Sequence, residues 1–311
     1  MSTVLASDLG VADAAPAGRQ LLARVFRDRS VRFGIGLVGA VVVAAALAPV
    51  VAALTGHGPA EQFRDSALSP AGVPVGPTGE FWLGADGSGR DLLVRTLYGA
   101  RTSLLVGIPA TTLAMLVGTT VGVLAGYFGG RTDRVLSQVV DVVLSFPFVV
   151  TALSLLTLNR GADGSPLVNP VLLVILVIAL FAWTYFARLT RGLVQDLASR
   201  PFVEAAETLG AGRWRIIRRD ILVNVAPAVA IFWAVQLPQN VIAEATLSFL
   251  GVGVQAPEPS WGNIIADAQR SSLYQLQPLL IVAPAVGLVA TVVGFNAIAN
   301  GIRRLLDPHA R

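Results

Sequence analysis

The stretch EAAETLGAGRWRIIRRDI, residues 204–221, stands between two apolar segments of membrane length, 171–187 and 225–250. Its reading sets the topology of everything around it. Pro201 suits the first turn of a helix, where its missing N–H would have no partner anyway, with Ser199 or Arg200 as the cap. Residues 202–209 then read as one helix, with Glu204 and Glu207 in the first half, where the helix dipole favours negative charge. Gly210 supplies a left-handed stop. A second helix follows, with Trp214, Ile217 and Ile221 on one face and Arg213, Arg215, Arg218 and Arg219 elsewhere. That pattern describes an amphipathic helix lying on a membrane surface.

Working outward, a membrane helix needs about 20 mostly apolar residues, within a range of about 17–25. Six segments qualify: 33–54, 104–126, 142–158, 171–187, 225–250 and 279–299. The third is short, and its helix is expected to begin near Val135 as an interfacial turn. Composition agrees, because only 14% of the 311 residues are charged where a soluble domain carries about a quarter, and mean hydropathy is +0.68. The fold class is all-α, a polytopic membrane protein. AAALA in the first segment resembles a signal-peptide cleavage site. The polar leader through Arg32 and an apolar core beyond the roughly 7–15 residues of an h-region argue for an uncleaved span.

Arginines orient the bundle. Seventeen fall in the N-terminal tail, the second-to-third connection, the stretch 188–224 and the C-terminal tail, and six fall on the other side. Positive residues accumulate in cytoplasmic loops, so six spans run N-in and C-in. This division gives a cytoplasmic tail 1–32, a membrane domain 33–299 and a tail 300–311, in the cell (inner) membrane. Outer loops are expected at 55–101 and 251–278, with a cytoplasmic loop at 188–224. The first outer loop is rich in Gly and Pro, as in SPAGVPVGPTGE and LGADGSGRD, and reads as a structured loop. Its Asp86, Arg90 and Asp91 read as an ion-pair cluster that fixes it. Trp261 in the second suits the membrane–water boundary.

Several functions drop out. All 23 basic residues are Arg, and without Lys the chain carries no P-loop. It has no Cys and only two His, which leaves no thiolate or histidine metal site. No Ser–His spacing, HExxH or paired-carboxylate motif points to an enzyme. The pI near 10.3 arises from arginines scattered around apolar spans, which argues against nucleic acid. No internal repeat is visible, unlike many secondary transporters.

Two constellations remain. Gln236, Gln239, Asn240 and Glu244 lie in the fifth span near Pro238. At membrane depth such groups face other helices or a water-filled path. Interhelical hydrogen bonding, worth about 0.6 kcal/mol per contact, and a translocation path both account for them. Asp141, near one end of the third span, needs a partner such as Arg134 or a neighbouring helix. The stretch 204–221 is the other constellation. Ala205, Ala206, Gly210, Ala211 and Gly212 leave one end of the hairpin almost without side chains, which permits close approach by another surface. A hairpin that anchors two spans and a slim helix that fits a partner's groove are both open.

EAAETLGAGRWRIIRRDIL resembles the EAA motif of permease subunits in binding-protein-dependent ABC importers, with Glu204, Ala205, Ala206 and Gly210 on its core positions. FWLGADGSGRDLLVRTLYGARTSLLVG (81–107), DVVLSFPFVV (141–150), EATLSFLGVGVQAPEPSWGNII (244–265) and NAIANGIRRLLDPHAR (296–311) resemble the dipeptide, oligopeptide and nickel class. The resemblance implies a type I importer fold in which Glu204, Ala205, Ala206, Glu207, Leu209, Gly210 and Ala211 form a coupling helix docked on a cytoplasmic ATPase subunit. ATP and Mg then belong to that partner, and this chain holds no cofactor. It also implies a second, different permease, an external substrate-binding protein and a lipid surround. The implied cargo is di- or oligopeptides. Nickel or another small solute is the alternative within the class, and an ion-coupled secondary transporter the alternative outside it. The chain departs from the class pattern at Asp220, where His is usual, at Val223, where Pro is usual, and at Ala299, Asn300 and Arg304.

Overall fold

Asp28 opens the first span. Its carboxylate accepts from the N–H groups of Ser30 and Val31 at 2.8 and 3.1 Å, and Arg304, near the other end of the chain, reaches it at 3.4 Å. The Val31 N–H above all holds this carboxyl below the usual carboxylate range, assisted by Ser30 and Arg304. The structure, a computed structural model, describes residues 27–159, 166–270 and 272–306. Arg19, Arg24, Arg160, His309 and Arg311 lie outside the described residues.

Among the described residues the helices of eight residues or more are α1 (Arg29–Thr55), α2 (Leu92–Phe128), α3 (Gly130–Ser145), α4 (Phe148–Thr157), α5 (Pro170–Ala198), α6 (Pro201–Thr208), α7 (Arg213–Phe249), α8 (Trp261–Arg270) and α9 (Leu279–Leu306). Among the described residues there is no strand, only two isolated bridges in the loop before α2 and at its start. Helices α1, α2, α5, α7 and α9 are long and apolar enough to cross a membrane, and α3 with α4 makes a sixth crossing only as a pair bent by 78°.

That bend corrects the expected third span. The helix begins at Gly130, well before Val135, and breaks at Phe146–Pro147. Pro147 has no N–H to continue the ladder, and its ring clashes with the preceding turn. The second helix of the 204–221 stretch is corrected too. It does not lie separately on a surface; it is the opening of α7, joined through a π-helical turn at Ile217–Ile221. Nor does Trp214 share the isoleucine face. The buried set is Ile216, Ile217 and Ile221, while Trp214 is exposed and meets Phe128 edge-on.

Two helices overrun their apolar windows because polar residues find partners. Asp91 caps α2 at the Val94 N–H, 3.1 Å, so the helix starts at Leu92, twelve residues ahead of the expected 104. Arg188 and Arg191 extend α5 to Ala198 while bridging to α3: Arg188 reaches Asp141 at 2.7 Å, and Arg191 forks onto Asp133 with one contact at 2.6 Å. Asp141 therefore finds its partner in Arg188, not Arg134.

The most extensive packing joins α2 and α5. Gly118, Gly122 and Gly126 sit one turn apart on α2. A Cβ added at each would lie 2.2, 2.7 and 2.8 Å from the carbonyl oxygens of Trp183, Ala187 and Arg191, again one turn apart on α5. Only glycine admits that approach, which favours dispersion and Cα–H···O contacts where lipid provides no hydrophobic drive.

At the opposite end of the bundle from the arginine-rich hairpin, the loop before α2 is fastened by charge. Arg90 and Arg95 reach Asp86 at 2.7 and 3.2 Å, Arg90 also reaches Asp267 of α8 at 3.3 Å, and His57 Nδ1 contacts Asp91 at 2.7 Å. Arg95 Nη1 donates to the Pro59 carbonyl at 3.0 Å. Asp86, Arg90 and Asp91 thus fix the loop, with Arg95 and His57 as members that the spacing had not indicated. Asp91→Ala removes the α2 cap, worth about 0.5–2 kcal/mol, and strands the buried His57. Asp91→Asn keeps the acceptor for the Val94 N–H but turns an NH2 donor toward His57 Nδ1, which must then accept. Thermal unfolding in detergent is expected to rank wild type above Asn and Asn above Ala. Trp261 belongs to this end but not to the lipid boundary, where it was expected. It is 1% exposed, lies between Gly99 of α2 and Gly287 of α9, and donates its indole N–H to the Thr96 carbonyl at 3.1 Å.

Candidate functional site

The hairpin after α5 is held from below. Val203 of α6 is buried with Ile216, Ile217, Ile221, Val194 and Val225, and Ala206 and Ala211 pack on the same cluster. The remaining side chains turn outward. Glu204, Ala205, Glu207, Leu209 and Gly210 are all exposed, Leu209 by 87%. One lateral tether exists, from the Tyr127 hydroxyl to Glu207 at 3.2 Å. Gly210 has φ 79°, the left-handed stop expected of it, and a Cβ there would meet nothing within 4 Å. Pro201 occupies the first turn of α6, after Arg200 as cap. An exposed apolar residue at a tight turn, flanked by alanines and two carboxylates, forms a slim ridge whose own chain leaves it uncovered.

The polar residues of α7 divide three to one. Gln236, Gln239 and Asn240 line one cavity of about 420 Å³ between α5, α7 and the break of the third crossing. Asn240 donates to the Thr111 hydroxyl at 2.8 Å, and Thr111 in turn donates to the Gly107 carbonyl at 2.7 Å. A second cavity, of about 470 Å³, follows between the same two helices toward the arginine-rich end, lined by Leu189, Asn224, Ile231, Phe232 and Arg303 among others. Both cavities border α5 and α7. Glu244 lies apart from them. Its carboxylate is 0% exposed and accepts from Ser103 of α2 and Ser248 of α7, each at 2.7 Å, with Ser260 as a third partner. Ser248 also accepts from the Val254 N–H at 3.0 Å, so this network ties the loop after α7 to α2.

Residues 118–311 match the family described as the inner membrane component of binding-protein-dependent transport systems. The chain belongs to that family of permeases. It is 35% identical over 233 residues to the glutathione transport system permease protein GsiD of Pectobacterium atrosepticum, covering 75% of this chain and 74% of that one. To the oligopeptide transport system permease protein OppC of Haemophilus influenzae it is 38% identical over 233 residues, covering 75% and 72%. The dipeptide transport system permease protein DppC of Bacillus subtilis is 33% identical over 235 residues, covering 76% and 71%. Among solved structures, a chain of the inward-facing MetNI methionine ABC transporter superposes with a TM-score of 0.53 at 20% identity, covering 67% of this chain and 95% of that one. That likeness shows a shared fold.

Within this permease, sequence reasoning had picked out the hairpin and the amides but not their supports. Thr111 and Ser103 are ordinary helix residues until a partner helix brings an amide or a carboxylate against them, whereas Ser248 sits one turn after Glu244 on α7 itself. The glycine stripe was missed as well, although GTTVGVLAG spaces Gly118, Gly122 and Gly126 at four residues, the small-residue pattern of close helix pairs. Glu244→Gln keeps an acceptor for one serine, offers its NH2 to the hydroxyl oxygen of the other, and is expected to leave the permease inserted and assembled. Glu244→Leu forfeits about 0.6 kcal/mol per lost contact and strands the hydroxyls. The expected readout is a lower midpoint of thermal unfolding in detergent for Leu alone.

Proposed function

We propose that this permease forms half of a peptide path across the cell (inner) membrane, with both termini and the hairpin in the cytoplasm. A separate ATPase subunit, which holds ATP and Mg, docks on residues 204–211. A second, different permease supplies the other half of the path, and an external binding protein delivers di- or oligopeptides to the outer loops. The observation that supports the reading best is the hairpin ridge: anchored by Val203, open at Leu209 and Gly210, and placed by a turn that needs glycine. Orientation rests on the arginine asymmetry, and the peptide cargo on the relatives named above, which are permeases for glutathione, oligopeptide and dipeptide transport. Uptake of radiolabelled tri-alanine and of nickel ion by cells with and without the chain tests the cargo. Loss of tri-alanine uptake is expected on deletion; loss of nickel uptake alone would assign the path to the metal.

A further inference from the structure

The cavity at the break of the third crossing has a wall chemistry more specific than a passage requires. Gln236, Gln239 and Asn240 present amides from α7, and Phe146, Phe148, Phe181 and Tyr185 present rings from the opposite side. Among the described residues, none that lines it is Asp, Glu, Arg or His. Its volume, about 420 Å³, falls in the range of about 300–1,000 Å³ typical of small-ligand pockets. The break itself adds polar groups. Helix α4 starts without a side-chain cap, so N–H groups of its first turn and carbonyls of the last turn of α3 lack helical partners. Backbone of that kind is tolerated at membrane depth where it borders a cavity or a polar path. Asn240 is 4% exposed and held by the Thr111–Gly107 relay, which keeps its amide in one orientation.

We propose that this cavity is a station for the peptide main chain, one that reads backbone amides and ignores side-chain charge. A peptide unit offers one donor and one acceptor, and a Gln or Asn side chain offers both in return. A lining carboxylate or guanidinium would offer only one kind and would impose a sign on the cargo. The rings receive side chains by area, without a charge preference. The proposal rests on the peptide-permease reading above and adds what the path recognises in its cargo.

The test uses the assembled complex, with its ATPases, second permease and binding protein, in proteoliposomes at saturating peptide. Uptake of tri-alanine, Ala-Glu-Ala and Ala-Lys-Ala is compared across wild type, Gln239→Glu and Gln239→Arg. Gln239 is exposed on this chain and faces the cavity rather than the packed core, so both variants are expected to insert and assemble. Wild type is expected to carry all three peptides at similar rates. Gln239→Glu should slow Ala-Glu-Ala against Ala-Lys-Ala by about tenfold, and Gln239→Arg should reverse the preference by a similar factor, the equivalent of about 1.4 kcal/mol. Wild-type ratios in both variants, or an equal loss of all three peptides in both, overturn the station while leaving the peptide reading intact. A wild-type complex that strongly prefers one charge also overturns it. A wild-type complex that carries none of the three peptides, yet takes up nickel, overturns the peptide reading and the station with it.

Discussion

Gly118→Leu is expected to remove the permease from the membrane fraction. A Cβ at this position would lie 2.2 Å from the Trp183 carbonyl oxygen, 2.5 Å from the Phe186 Cβ and 2.9 Å from the Ala187 nitrogen. Two of these three are backbone atoms, which cannot swing aside as the tip of a side chain would. Overpacking a tight site costs about 1–3 kcal/mol when side chains alone must adjust. Here α2 and α5 must separate along the whole stripe, and Gly122 and Gly126 lose their contacts with Ala187 and Arg191 as well. Gly36→Leu is the matched control, because a Cβ there meets nothing within 4 Å. Immunoblots of membrane extracts and thermal unfolding of any surviving protein should show a large loss for Gly118→Leu and none for Gly36→Leu. Equal levels for the two would contradict the close crossing of α2 and α5.

The apolar windows mark the five long helices and the bent pair, but misjudge where several begin and end, and the failures share a cause. An apolar window measures residues that face lipid or other helices, yet a helix continues wherever its polar residues find partners. Arg188 and Arg191 look like the end of a span, but Asp141 and Asp133 receive them, and α5 runs on to Ala198. Arg213 to Arg219 looked like a separate surface helix, although Ile216, Ile217 and Ile221 were packing beneath them as the start of α7. The break at Pro147 was legible in SFPFVV, since proline inside a span interrupts the ladder, but Pro49, Pro109, Pro227, Pro238 and Pro284 all sit within unbroken helices. Only tertiary context separates these cases. Trp261 was misplaced for a similar reason: composition marks an aromatic near a membrane boundary, but the glycines at 99 and 287 that admit its ring inside are remote in sequence. The hairpin fared better because its cues are local. Pro201 and Gly210 each dictate backbone geometry at their own position, and both are where they were expected.

Gly210→Val carries the second large effect, on transport rather than on folding. Left-handed backbone costs a residue other than glycine roughly 1–2 kcal/mol, and a β-branched one more. Asn tolerates this conformation, so Gly210→Asn separates the turn from the missing side chain. Within the chain there is space for either, since nothing lies within 4 Å of the added Cβ. Both variants are therefore expected to insert normally. If residues 204–211 dock in an ATPase cleft, Val should abolish uptake and release the ATPase on purification. Asn, which keeps the turn but adds bulk at the contact, should weaken docking by an order of magnitude for each 1.4 kcal/mol of lost contact energy. Basal hydrolysis by the free ATPase should be unchanged while substrate-stimulated hydrolysis by the complex falls. Full uptake by Gly210→Val would leave the hairpin as an anchor for α5 and α7 and nothing more.

Coupling through the hairpin depends on which side of the membrane Leu209 faces and what covers it there. The chain has no cysteine, and Leu209 is 87% exposed, so Leu209→Cys gives a single reporter at the tip of the ridge. Labelling with a membrane-impermeant maleimide is the direct measurement. The expected result is no labelling in intact cells, rapid labelling in inside-out vesicles stripped of the ATPase, and protection once the ATPase is bound. Labelling from outside intact cells would contradict the orientation, and labelling undiminished by bound ATPase would contradict the docking.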